Sequence, residues 1–436
     1  MKKYLSYIRE LFFFSIPVIG GKICEMFFGI GDVLVAGRYS TIVLGALGVA
    51  NAFLFPFLVF GLGIISAISP LKARRIGAGK PTTLIPATSL TLSIVVGCML
   101  TTLSLLNCRF IVPLVGYQPE FQKLVQTYLY ICSFSIIPAL VFSAVKELLL
   151  ARSHIVIPNL LIFLFNFFNI AVNIFLMFGL NMGIAGAAVA TLLSRILMSL
   201  AIYLYSRHKT RWHWKICRGT AYEVLKMGIP IGGIGLVVAS VFAIVALLVG
   251  KMSVVAAATN NVLINITSFT YMIPLALSCV VAVKVGHAYG EGDLQKVKDY
   301  TVAASIMGIC AAILSGIIFL VMPKLVFSIF TNQEDVIAYG TVLLVYVAIY
   351  QIPDALQEIF VGALRGLGET TVPLTLSFIS IWLVGLGSGC YLAYVRKMGA
   401  AGLWAGLSLG LVVLGITLLF YFIFKFKNFK RINTGG

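Results

Sequence analysis

The fold class this sequence predicts is an all-α membrane protein of twelve transmembrane helices. They are expected in two six-helix lobes related by a pseudo-two-fold axis along the membrane normal. Three observations predict it. Hydrophobic residues make up 60% of the chain and charged residues 11%, with a mean hydropathy of +1.05, which does not suit a water-soluble surface. The chain also falls on itself when shifted by 213 residues: Pro17 lands on Pro230, Gly37 on Gly250, Gly77 on Gly290 and Gly79 on Gly292. The match continues at an offset of 215 for Pro138 and Pro158 and of 216 for Gly186. Finally, the basic residues alternate with the apolar runs as topology requires.

A helical crossing needs about 20 mostly apolar residues, because backbone groups cannot face lipid unpaired. Read in order, the spans fall at 12–37, 46–70, 84–106, 122–147, 156–179 and 184–205 in the first half. In the second half they fall at 224–249, 255–283, 301–322, 336–363, 372–394 and 400–424. Six spans per half, an even number, give both copies the same orientation, so the repeat is parallel. The domains expected are an N-terminal lobe over 1–205, a basic linker over 206–223 and a C-terminal lobe over 224–436. Tandem repeats of this kind bind their ligand in or between the lobes, and transport is the function to suspect first.

With the N-terminus inside, 23 of the 32 Lys and Arg residues fall in inside segments. Arg38, Arg109, Lys123, Lys251, Lys324, Arg396 and Lys397 fall outside, and Lys22 and Arg195 lie within spans. Both termini are therefore expected in the cytoplasm and the protein in the cytoplasmic (inner) membrane as a multi-pass protein. The same bias accounts for the net charge of +18 as contact with anionic headgroups, with no call for nucleic acid. Trp212 and Trp214 alternate with bases between Arg207 and Arg218, as an interfacial loop between halves would. The first apolar stretch lacks a cleavage site and carries Lys22, Glu25 and Asp32, so it stays as span one. Eight unpaired-looking cysteines indicate neither disulfide framework nor metal cluster. The four histidines fall in predicted inside loops, which leaves carboxylates to carry any proton or cation chemistry in the membrane.

Glu25, Asp32, Glu147, Asp354 and Glu358 fall within or at the edge of spans. An ionised group there costs at least about 2.5 kcal/mol and usually marks an ion or substrate path. Asp32 stands in the otherwise uncharged stretch Gly29 to Gly37, and Lys22 lies three residues before Glu25, close enough to neutralise it. In span ten, Tyr350, Asp354 and Glu358 recur every four residues and share a stripe. Two carboxyls that close do not both ionise in a low-dielectric site, so the pair can take up and release a proton. The plainer reading of Glu358 is a helix-end charge paired with Arg365. In span five, Asn166, Asn169 and Asn173 form a second polar stripe, suited either to holding a cation or a carboxyl or to joining helices. Taken together, the span-buried charges lean acidic.

At these residues the chain resembles a family, the multidrug and toxic compound extrusion (MATE) transporters, and within it the NorM-like branch. The resemblance rests on Ile16-Pro17, Gly31-Asp32 with Ala36-Gly37, Gly77 to Gly79 and Gly228 to Pro230. Val285 to Gly290, Tyr350 to Gln357 and Leu364 to Gly368 carry it through the second half. It implies two six-helix lobes and ion-coupled export of organic cations and other amphipathic compounds. It also implies an ion-coupling site at Asp32, Asn169 and Asn173 and another at Asp354 and Tyr350, with Asp32 and Asp354 as possible sodium ligands. Glu25, Glu358, Lys22 and Asn166 are weaker members of an ion or substrate path. The chain departs from the pattern at Val238, where the family usually has a glutamate, so Glu358 is expected to replace it or coupling to move to Asp32.

The resemblance implies antiport by alternating access, with Pro17, Gly29 and Gly31 as hinges in span one. Phe27, Phe28, Phe53 and Phe57 mark the region where a lipophilic cation would lie. No cofactor is expected beyond a coupling proton or sodium ion. The expected partners are a small-molecule substrate and membrane lipid, and no GxxxG in a uniformly apolar span is counted toward a dimer, so a monomer is expected. A lipid-linked precursor or polysaccharide flippase of the same superfamily is the alternative. An intramembrane aspartyl protease, suggested by Gly29 to Asp32 and by Pro138 to Leu140, is remote because its motifs stand in the wrong order.

Overall fold

In the lipid core a chain must satisfy its backbone internally, and the computed structural model does so with helices alone. It describes residues 2–210, 212 and 215–433, with side chains for 4–210, 212 and 215–427, and no strand occurs among them. Twelve helices are long and apolar enough to cross a membrane. In the first half these are α1 (Tyr4–Tyr39), α2 (Thr41–Gly77), α3 (Ile85–Val115), α4 (Pro119–Leu150), α5 (Val156–Gly179) and α6 (Gly183–Lys209). The second half supplies α7 (Arg218–Gly250), α8 (Val254–Gly290), α9 (Leu294–Val321), α10 (Glu334–Leu367), α11 (Thr371–Val395) and α12 (Ala400–Lys427). The chain is a multi-pass membrane protein of twelve spans, as its composition predicts.

The helices outrun the expected spans. Apolar content locates the crossing, but helix formation continues into flanks whose bases suit the C-terminal end of the helix dipole. Lys72, Arg74 and Arg75 therefore lie in α2, Lys284 in α8 and Arg365 in α10 rather than in loops. His208 and His287 likewise lie in α6 and α8. Lys72 is fully buried and donates to the Leu148 carbonyl at 2.9 Å. Trp212 packs its ring edge-on against Tyr203 of α6, 5.3 Å between centroids, as an interfacial residue does. Trp214, the other tryptophan of that segment, lies outside the described residues.

The chain forms two compact units. One comprises Ile16–Ile76 and Lys80–Gly232, and the other Met1–Ser15, Gly77–Gly79 and Gly233–Gly436. Both α1 and α7 thus divide between units, α1 just before Pro17 and α7 just after Pro230, which are repeat-equivalent prolines. The early part of each helix is fastened by an acid at the same repeat position. Glu10 accepts from Lys284 Nζ at 2.6 Å and from the Tyr300 hydroxyl at 2.9 Å. Glu223, 213 residues on, accepts from Arg75 Nη2 at 2.9 Å, and Arg75 Nη1 also donates to Thr220 at 3.0 Å. The first unit is cored by Leu47, Ile64, Ile65, Tyr128 and Leu140.

In the second unit, α11 and α12 approach through glycine. A Cβ on Gly406 would stand 2.2 Å from the Gly389 nitrogen, and one on Gly402 2.5 Å from the Ala393 nitrogen. Gly385 and Gly389, and Gly402, Gly406 and Gly410, stand at GxxxG spacing, and the structure uses them for packing within the chain. Two π-helical stretches, Phe378–Leu386 and Tyr391–Val395, reshape α11 along this contact. Gly406→Leu is expected to lower thermal stability in detergent by at least the 1–3 kcal/mol typical of overpacking, about. Gly29→Ala, where an added Cβ meets nothing within 4 Å, is expected to leave it unchanged. Equal melting curves for Gly406→Leu and the parent chain would show that the glycine contact is not required.

Candidate cation and substrate sites

Asp32 is 3% exposed in the middle of an apolar helix, and a carboxylate placed there needs donors. It has two. Asn173 Nδ2 of α5 donates to Oδ1 at 2.8 Å and Thr191 Oγ1 of α6 to Oδ2 at 2.8 Å. The spacing of three and four residues puts Asn166, Asn169 and Asn173 on one face of α5, and all three are buried. Gly31 admits that face: a Cβ there would meet Ile170 Cγ1 at 2.8 Å. Among the described residues, both amide atoms of Asn169 and Oδ1 of Asn173 are buried without a hydrogen-bond partner. A carboxylate beside amide oxygens with free lone pairs is the donor set hard cations take, and it equally accommodates a proton on Asp32.

The same unit separates residues in contact with Asp32 from those that pack or pair elsewhere. Asn166 donates to the Cys24 carbonyl at 2.8 Å, so it joins α5 to α1. Glu25 is neutralised, as the Lys22 spacing predicts, at 2.7 Å. Lys146 of α4 is a second partner in contact with it, one that the sequence reading left at a loop edge. Glu147 accepts from Ser69. Thr191 and Arg195 are the residues sequence reasoning missed. Both lie on α6 at a spacing of four, and the sole signal was a base inside an apolar span. With Lys22, Lys146 and Arg195 against Glu25, Asp32 and Glu147, these membrane-spanning charges of the unit do not lean acidic. The expectation failed because it weighed the acids without the bases already lying in or at the edge of the same spans.

α1 runs unbroken through Pro17, Gly29 and Gly31. Of the four phenylalanines, Phe53 and Phe57 pack against the core, and Phe27 is exposed at 49%. Phe28 lies under the Arg195 guanidinium, 5.8 Å from the ring centroid.

The second unit holds two carboxyls and no base beside them. Asp354 and Glu358, both on α10, are 9% and 6% exposed. Gln357 Nε2 lies 3.3 Å from Asp354 Oδ1 and 3.3 Å from Glu358 Oε1, and the Tyr271 hydroxyl of α8 donates to Glu358 Oε1 at 2.6 Å. Among the described residues no Lys, Arg or His makes an ion pair with either acid, Arg365 included. Two uncompensated charges in one low-dielectric setting are costly, so the pair could hold a cation, either a proton or a metal ion. Tyr350 is buried and stacks on Trp404, 6.3 Å between centroids at 6°, and Trp404 donates to Asn260 Oδ1 at 3.1 Å. Tyr271 and Gln357 were not foreseen. Nothing in local spacing connects α8 to α10.

A recess of about 500 Å³ lined by Met252, Tyr339, Tyr394 and Lys397 lies in this unit. Tyr339 is fifteen residues from Asp354, about 22 Å along α10, so the recess is separate from the carboxyl pair.

Residues 17–175 and 230–390 each match the MatE family. The chain is 29% identical over 453 residues to the multidrug resistance protein NorM of Aliivibrio fischeri, covering 99% of this chain and 98% of that one. It is 27% identical over 443 residues to a probable multidrug resistance protein NorM of Agrobacterium fabrum, covering 98% and 95%. The MATE transporter VcmN of Vibrio cholerae superposes with a TM-score of 0.91 at 16% identity over 98% of this chain and 99% of that one. A MOP superfamily transporter from Pyrococcus furiosus superposes with 0.90 at 19% identity over 97% of each.

The Glu25 cluster yields a stability test. Its side chain is 35% exposed, so solvent screens each pair and Lys146→Met is expected to cost about 1 kcal/mol. A double-mutant cycle with Glu25→Gln, read by thermal unfolding in detergent, should return a coupling energy of that sign. Additive effects would show that Lys146 and Glu25 act independently.

Proposed function

Since the chain belongs to the MatE family of multidrug efflux transporters, we propose that it is a secondary antiporter exporting lipophilic organic cations or other amphipathic drugs in exchange for protons or sodium ions. The reading rests on one observation above the rest. Among the carboxyls buried in membrane-spanning helices, which also include Glu147 and Asp299, Asp32 and the pair Asp354 and Glu358 stand out, each furnished with neutral donors and without a direct ion pair among the described residues. Such groups are costly in a membrane unless they bind something.

Antiport requires one site to prefer the cation in one state and the drug in the other. Asp32 is held by Asn173 and Thr191. Binding a proton or sodium ion cancels its charge, weakens those bonds and alters how α1 sits against α5 and α6. Pro17, Gly29 and Gly31 are the places where α1 would bend. In the second half, Glu358 stands in for the carboxylate absent at Val238. It shares Gln357 with Asp354, and the two together form a second cation site with Tyr350 one helical turn away. The proposed orientation has both termini in the cytoplasm of a cell whose inner membrane holds the protein as a monomer.

One observation favours a second reading. The first unit carries Lys22, Lys146 and Arg195 in its membrane-spanning helices, and a flippase for lipid-linked precursors would use such bases to hold phosphate. The acidic pair of the second unit favours cation-coupled drug export.

Purified protein in proteoliposomes, given ethidium and either a proton or a sodium gradient, tests the proposal. Gradient-driven ethidium movement is expected, abolished by Asp32→Asn and reduced at least tenfold by Asp354→Asn, about the value of a lost charged interaction. Glu358→Gln should impair ion coupling. Full activity in Glu358→Gln would remove it from the site, and no movement under either gradient would turn the reading toward flipping.

A further inference from the structure

Arg195 is the charge that the cation cycle does not yet use. It stands on α6 four residues after Thr191, on the same face and about 6 Å further along the axis. Phe28 stands four residues before Asp32 on α1. The two helices therefore meet in successive rungs: Thr191 donates to Asp32 at 2.8 Å, and one turn away the Arg195 guanidinium lies over Phe28 at 5.8 Å. Arg195 Nη1 is held off the carboxylate by Ser135 of α4, to which it donates at 2.8 Å. Arg195 and Asp32 are nonetheless close enough to interact electrostatically.

We propose that Arg195 is a tethered competitor for the coupling cation: it rests on Ser135 and Phe28 while Asp32 holds a proton or sodium ion, and swings one helical turn to pair with Asp32 when that cation leaves. Arg195 acts through Asp32 and is a positioning residue. The inference rests on the reading of Asp32 as a cation site.

Three features support it. The guanidinium offers five donors in a planar fork, so releasing Ser135 and accepting a carboxylate changes one side-chain conformation and no helix. Its resting place is weak: a neutral hydroxyl and an aromatic face hold a cation less firmly than a carboxylate does. Vacating Asp32 without a replacement would leave a bare buried charge, whereas the swing supplies the counter-charge from within the chain. The other titratable groups around the pair are Tyr128 and Cys132 of α4, both of which interact with Asp32 and Arg195. Neither a phenol nor a thiol carries a positive charge in any form, so Arg195 is the cation available for the exchange. The consequence is selectivity: a drug or ion reaching Asp32 must displace an internal guanidinium, which sets a threshold on cation affinity in this unit.

Cation binding by the purified full chain, read as thermal stabilisation in detergent, tests this without needing a transported drug. Sodium chloride is titrated against choline chloride, and pH is titrated separately. With the second site removed by Asp354→Asn and Glu358→Gln in every variant compared, the protein should be stabilised by one of the two cations, with the response lost when Asp32→Asn is added. Arg195→Gln removes the competitor and should shift half-maximal stabilisation to about tenfold lower cation activity. Ser135→Ala removes the resting partner and should shift it the other way, while Arg195→Lys should stay near wild type. Opposite shifts in Arg195→Gln and Ser135→Ala are the expected result. Unmoved midpoints, or shifts of the same sign, would overturn the proposal, and Ser135→Ala alone decides it if Arg195→Gln does not fold. A cation response that survives intact when Asp32→Asn is added to that background would instead remove Asp32 as a cation site.

Discussion

A carboxylate in a lipid-spanning helix must find compensation within the protein, and the arrangement of this molecule follows from how three of them are compensated. Asp32 draws α5 and α6 onto α1 through Asn173 and Thr191. Glu358 draws α8 onto α10 through Tyr271, and Gln357 links it to Asp354. Each contact satisfies hydrogen bonds but leaves the charge itself unbalanced or only distantly balanced. That shortfall is what the proposed cation coupling would use, and it distinguishes these groups from Glu25, which is paired with two lysines.

The scaffold is duplicated, whereas the chemistry is not. Pro17 and Pro230, and Glu10 and Glu223, hold the same repeat positions and do the same structural work. Asp32 has Val245 as its counterpart and Glu25 has Val238. Asp354 and Tyr350, at the offset of 215, correspond to Ala139 and Ser135, the latter being the residue that holds Arg195. Helix packing depends on a pattern of small and apolar residues and tolerates drift, so both copies keep it. A buried charge costs stability unless it is compensated, and the two copies do not place their buried acids at equivalent positions. The halves have become one unit with a compensated carboxylate and one with an acidic pair.

The sequence exposed what depends on local order. Hydropathy runs and the 213-residue repeat gave twelve helices, and the spacing of Asn166, Asn169 and Asn173 gave a buried stripe. Asp32 and Asp354 stood out because charge in an apolar run is costly. Partners from distant segments stayed hidden. Thr191 is 159 residues from Asp32, Lys146 is 121 from Glu25 and Tyr271 is 87 from Glu358, and a threonine or tyrosine in a membrane helix is unremarkable until its neighbour is known. The glycine contact of α11 with α12 was present in the sequence as GxxxG spacing and was passed over, because only a structure shows which backbone approaches it. Helix ends were misplaced for a related reason: hydropathy reports where lipid stops, and the helices continue past it.

Stoichiometry of exchange is the most direct measure of whether buried carboxyls couple cation to drug. Purified protein in weakly buffered detergent solution, mixed with ethidium at fixed pH, should release close to one proton, or one previously bound sodium ion, for each ethidium bound. The same release should be absent from Asp32→Asn. Ethidium binding with no cation released, in the wild-type chain, would contradict the account.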